Sequence, residues 1–165
     1  MAQQWPSLVN EKLFLARTLL ARLEQTPSSS AAAMPVAEQK ALEQGAIELM
    51  LRGRQLLLTA IARLHQNKTA MPSSIEQLEA LFPYPVAEAE HLRELATTAG
   101  SWWQHLAELE AALSKPSEAK KHKAADNLIA VSANHGPDRS CKALHNSLSA
   151  MAKFVRVLTE QHSEY

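Results

Sequence analysis

Cysteine is almost missing from this chain. Cys141 stands alone among 165 residues, so no internal disulfide can form and a disulfide-stapled secreted domain is excluded. Glycine is scarce too. Four in the whole chain suits helices, because each Gly inside a helix costs about 1 kcal/mol relative to Ala. Aromatic residues make up only 5%, so a core must come from Leu and Ala. Charge of one sign is also absent, since 17 basic residues balance 17 acidic ones. A neutral chain has no global field to attract nucleic acid or an anionic membrane. Long apolar runs are missing as well. Stretches such as Leu56–Leu57–Leu58 fall far short of the ~20 residues needed to span a bilayer. No basic residue precedes Lys12, and Glu11, Lys12 and Arg17 interrupt the apolar stretch there, unlike a signal peptide. These absences predict a soluble cytoplasmic protein without a membrane or nucleic-acid partner.

What is present is helical periodicity. Val9, Leu13, Ala16, Leu20 and Leu23 recur at alternating steps of four and three. Leu92, Leu95, Ala99, Trp102, Leu106, Leu109 and Leu113 form a second seam, and Cys141, Leu144, Leu148, Met151, Val155 and Leu158 a third. Such stripes keep one face of each helix against a neighbour, the pattern of a bundle. At 165 residues the simplest reading is one domain over 1–165.

The first helix is expected after Pro6 and Ser7, running to about Gln25, with a linker at about 26–35. The second, about Val36 to Asn67, would be about 50 Å long. It carries two apolar stripes, Leu42–Ala46–Leu49–Gly53–Leu56–Ala60 and Met50–Leu57–Ile61–Leu64, which predict a central position. Gly45 and Gly53 within it predict close approach by a neighbour, with a hinge or kink as the alternative. Ser73 and Glu76 match a capping box for a short helix that Pro83–Tyr84–Pro85 ends. The region Val86–Leu113 repeats that signal at Ser101 and Gln104, beside Gly100. It therefore reads as two near-collinear helices broken at about Thr98 to Gly100. A linker at about 114–127 with a Lys-rich centre follows, read as solvated, with contact to RNA or an acidic partner as the alternative. Leu128–Ile129–Ala130–Val131 is too short to assign, extended or one helical turn. The last helix runs from about Arg139 to Gln161. The expected fold is all-α, an antiparallel bundle of four main helices plus a short helix, the fourth region broken near Gly100.

Several local patterns, taken in order, carry a resemblance. They are Asn10–Glu11–Lys12 with Ala16–Arg17, Glu43–Gln44–Gly45–Ala46, Pro72–Ser73–Ser74 with Leu78, Ser101–Trp102, and Ile129–Ala130–Val131–Ser132. Together they resemble an uncharacterised family of helical proteins from gammaproteobacteria, over nearly the whole chain. The Ser/Ala-rich linker after the first helix and Trp103 beside Trp102 depart from that pattern. The resemblance implies a bacterial, cytoplasmic helical domain of unknown function and supplies no catalytic residues.

Candidate chemistry is thin. Glu88 and His91 form one Glu-x-x-His, the spacing that puts a carboxylate and an imidazole on one helical face. A di-iron bundle needs two such motifs and two further carboxylates. Glu48 could supply an extra carboxylate, but a second Glu-x-x-His is missing, so a solvated helix face is the preferred reading and no metal or cofactor is expected. The seven His residues show no cluster at metal-ligand spacing. Arg139 and His145 are separated by five residues, and some bundle ribonucleases use an Arg followed at four to six residues by His. There the His would act as acid or base and the Arg would steady phosphate charge, but the surroundings here do not match. Cys141 on its seam reads as a small inert hydrophobe. Trp102 lies on the seam and reads as core. Trp103, about 100° away, reads either as a partly exposed anchor for a partner or as packed against the linker or the 128–131 segment. The sequence thus favours a non-enzymatic bundle acting through contacts with a protein partner or a second copy. A ribonuclease-like or nucleotide-handling bundle using Arg139 and His145 is the alternative.

Overall fold

A computed structural model describes residues 3–25, 33–116 and 136–163. Among them lie six helices and no strand: α1 (Gln4–Glu24), α2 (Val36–Leu64), α3 (Ile75–Glu79), α4 (Ala87–Thr97), α5 (Trp102–Leu113) and α6 (Cys141–Ser163). The all-α bundle expected from the seams is present, and α4 and α5 are separate helices with the break at the expected place. The Lys-rich centre of the second linker and the Leu128–Val131 segment lie outside the described residues.

Contacts between named residues give the helix directions. Leu19 lies against Gly45, Leu13 against Gly53, and the Trp5 ring under Arg63, so α1 and α2 run antiparallel. His105 meets Ser147 and Trp102 meets Phe154, which makes α5 and α6 antiparallel. Glu88 meets His162 and His91 meets Phe154, giving the same relation for α4 and α6. The central position expected for α2 is observed, because it touches α1, α3, α5 and α6.

The core follows the seams. Val9, Leu13, Ala16 and Leu20 of α1 pack with Ala46, Ile47, Met50, Leu57 and Ile61 of α2. From α6 come Leu144, Leu148, Met151, Val155 and Leu158, and from α5 Trp102, Leu106 and Leu109. Gly45 and Gly53 serve close approach, as expected. A Cβ on Gly45 would lie 3.1 Å from Leu19 Cδ1, and one on Gly53 3.3 Å from Met151 Cε. α2 continues unbroken through both.

Four local expectations are corrected. α1 begins at Gln4, ahead of Pro6. A proline in the first turn lacks an amide that would have no intrahelical acceptor anyway, so Pro6 does not delay the helix. Ser74 rather than Ser73 caps α3, accepting from the Gln77 amide at 3.2 Å. Gln77 reaches back to the Ser73 amide at 2.8 Å, so the capping box is displaced by one residue. Ala99 is exposed, because the chain turns through Gly100 at φ +77° and takes Ala99 off the seam. Cys141 is only half-buried, since it opens α6 at the edge of the bundle. The break itself is built as expected: Ser101 Oγ accepts from the Gln104 amide at 3.1 Å, and Gln104 Oε1 accepts from the Gly100 amide at 3.1 Å.

Candidate functional site

The ends of α2, α4 and α6 meet on one carboxylate. His65 is the C-cap residue of α2. Its position is held by a firm turn, in which Gln66 takes φ 65° and Arg63 donates to the Asn67 and Ala70 carbonyls at 2.7 and 2.8 Å. Phe82 packs edge-on to the His65 ring at 5.5 Å. Glu88 sits in the first turn of α4, where the helix dipole favours an anion. His162 lies in the last turn of α6, where it favours a cation.

Glu88 Oε2 lies 2.9 Å from His65 Nε2, and Glu88 Oε1 lies 2.7 Å from His162 Nε2. The two imidazoles stand edge-on to each other, with ring centres 5.3 Å apart. Burial raises the Glu88 pKa, but hydrogen bonds from His162, its own backbone amide and His65 outweigh it and hold the carboxyl below the usual range. The expectation that the histidines form no cluster is therefore corrected. Their sequence separations from Glu88 are 23 and 74 residues, and no local motif reveals them.

His91, the partner suggested by Glu-x-x-His, is not among these contacts. It is exposed and tilts against Phe154 at 5.2 Å. Both Glu88 and His91 line the cleft between α4 and α6, but only the Glu88 carboxylate also reaches the imidazoles at the helix ends. Glu48 is exposed and outside the cluster of His65, Glu88 and His162.

Beside the cluster, an apolar groove of about 340 Å³ runs between α4 and α6. Leu95, Trp102, Phe154 and Val157 supply its apolar lining, His91 contributes an imidazole, and Glu88, Lys153 and Gln161 supply polar groups. Trp102 stands edge-on to Phe154 at 5.9 Å, and Val157 is 39% exposed.

Trp103 is buried, not partly exposed. It retains 9% exposure, close to the 7% of Trp102. The reason is a residue on another helix: the Arg54 guanidinium of α2 covers the ring at 5.3 Å and is held by an ion pair to Glu110. The exposed aromatic on which the anchor reading rested is absent.

Arg139 and His145 are directed to different carboxylates. Arg139 lies 3.9 Å from Glu43 of α2, and His145 lies 3.3 Å from Glu24 of α1. Cys141 between them has its thiol pushed up by burial and by the charges of Glu24 and Glu43, which disfavours the nucleophilic thiolate.

A further histidine joins α5 to α6. His105 Nδ1 lies 2.6 Å from Ser147 Oγ, and its Nε2 lies 2.7 Å from the Asp138 carbonyl. A carbonyl only accepts, so Nε2 carries a proton. In the neutral ring Nδ1 then accepts from the Ser147 hydroxyl. Ser147 is buried, and this pair ties the start of α6 to α5.

No helix among the described residues is long and apolar enough to cross a membrane. No curated protein and no solved structure matches the chain. A family model does match, over residues 1–165. The chain belongs to the family of unknown function DUF6586.

Proposed function

We propose that this protein is a non-enzymatic helical module, acting as one domain over 1–165, whose α4–α6 groove receives apolar side chains of a partner protein. The observation carrying the proposal is the groove itself. Its aromatic floor, Trp102 and Phe154, lies beside a half-exposed Val157 and a polar edge of Glu88, Lys153 and Gln161. An apolar floor with a few polar groups at its margin suits recognition of a helix face or an inserted side chain. The proposal moves the binding surface from Trp103, which Arg54 covers, to this groove. A bacterial cytoplasmic setting belongs to it, supported by the single cysteine and the resemblance described above.

The ribonuclease-like alternative has less support. Arg139 and His145 each face a carboxylate of a different helix, and a neighbouring carboxylate opposes the approach of phosphate. The reading is tested by plugging the groove. Ala150 lines it, so Ala150→Trp should fill it while leaving the helical circular dichroism spectrum intact. Affinity purification with the wild type should retain a partner, or a second copy of this chain, that Ala150→Trp does not. Identical retention by both folded proteins overturns the proposal.

A further inference from the structure

We propose that His65, Glu88 and His162 form a binding site for a divalent transition metal, with zinc as the fitting ion. Three observations carry this. The donor set is two imidazoles and one carboxylate, a combination zinc accepts with one coordination position left open. The donor atoms of the three residues all lie within 4.8 Å of one another. A zinc ion at ~2.0–2.2 Å from each ligand places tetrahedral neighbours about 3.3 Å apart, so modest side-chain rotation closes the set. Finally, the three residues come from the ends of three packed helices, each only partly exposed. The turn after α2 and the packing of Phe82 fix His65 before any ion arrives.

In the metal-free arrangement Glu88 receives a hydrogen bond at each oxygen from the two Nε2 atoms. Zinc takes the Nε2 lone pairs in their place, with the ring protons on Nδ1. The fourth position opens beside the α4–α6 groove, which Glu88 and Gln161 also line, so water or a donor group on a bound molecule completes the shell. Magnesium does not fit, because it requires oxygen donors in an octahedron.

The site stands or falls apart from the groove proposal, because its test counts ions. Full-length protein stripped with chelator is titrated with zinc sulfate by calorimetry, and cobalt(II) absorption reports the coordination. About one zinc per chain is expected, with no uptake of magnesium. His162→Gln and Glu88→Gln should each weaken zinc by ~10-fold or more, the low end of what losing even a supporting partner of a metal ligand costs. His91→Ala and His145→Ala should leave it unchanged. His162 lies in the last turn of α6, so His162→Gln keeps the fold, which circular dichroism verifies. Absence of zinc uptake overturns the proposal. So does uptake that His162→Gln leaves intact or that His91→Ala abolishes.

Discussion

The α1–α2 contact and the α4–α6 contact are built differently. Toward α1, α2 presents Ala46, Ile47, Met50 and two glycines to Val9, Leu13, Ala16 and Leu20, and the helices close on each other without a buried polar side chain between those residues. Toward the far end of α4 and α6 the packing gives way to a groove, an aromatic floor and a carboxylate shared by two imidazoles. A small protein needs one region that holds the fold so that another can remain incompletely packed. Burial of Leu, Ile and Met supplies that stability at about 1.5–3 kcal/mol per fully buried side chain. The chemistry-bearing groups gather where the helices end and the apolar seam runs out.

The comparison is broken first by truncating the closed side. Leu57 is fully buried, and Leu57→Ala should cost about 2–5 kcal/mol, measured by urea denaturation. Val157→Ala, on the groove rim, should stay within about 0.5 kcal/mol. Similar losses at both positions would erase the distinction between the two sides.

Trp103 sharpens it next. Because Trp103 is as enclosed as Trp102, Trp103→Ala should destabilise by about 3–5 kcal/mol, as Trp102→Ala does. Retention of wild-type stability by Trp103→Ala would return this ring to the surface. Arg54→Ala should uncover it, and the tryptophan fluorescence should shift to longer wavelength.

A smaller effect is expected where α5 meets α6. Ser147→Ala leaves the His105 ring nitrogen without its donor, and should cost about 1–3 kcal/mol. A neutral result would mean that water replaces the hydroxyl there.

The smallest effect depends on pH. The Asp138 carboxylate accepts from the Ser140 amide at 2.8 Å. Its pKa is held low first by that backbone bond and then by the Ser140 side chain. A carboxyl depressed on folding stabilises the protein fully above its unfolded pKa of ~3.9 and loses that contribution as pH falls through the folded value. Asp138→Ala should therefore lower Tm slightly at neutral pH, and the gap from wild type should close in acid. A gap that widens in acid would contradict the assignment.

Much of the fold was legible in the sequence because it is local. Seams at steps of three and four marked α1, α2, α5 and α6, and Ser101 with Gln104 marked the break before α5. Helix edges were less legible where two local rules competed. Pro6 reads as a boundary, yet is tolerated in a first turn, and Ser73 and Ser74 both offer a cap. The site was hardly legible at all. The local spacing points to Glu88, but pairs it with His91, its neighbour along the helix. Its actual partners are brought by chain reversals that no spacing encodes. The burial of Trp103 is hidden from the sequence for the same reason, because its cover, Arg54, comes from a different helix.

The central claim is that the open α4–α6 side, and not the closed α1 side, meets the partner. Each side has an exposed apolar residue, Val157 at 39% and Phe14 at 66%, so exposure alone would favour Phe14. Placing a photo-crosslinking amino acid at position 157 or 14 of the full chain, in cells, tests the choice directly. The account predicts a discrete adduct from 157 that Ala150→Trp abolishes, and none from 14. A discrete adduct from 14 with none from 157 would contradict it.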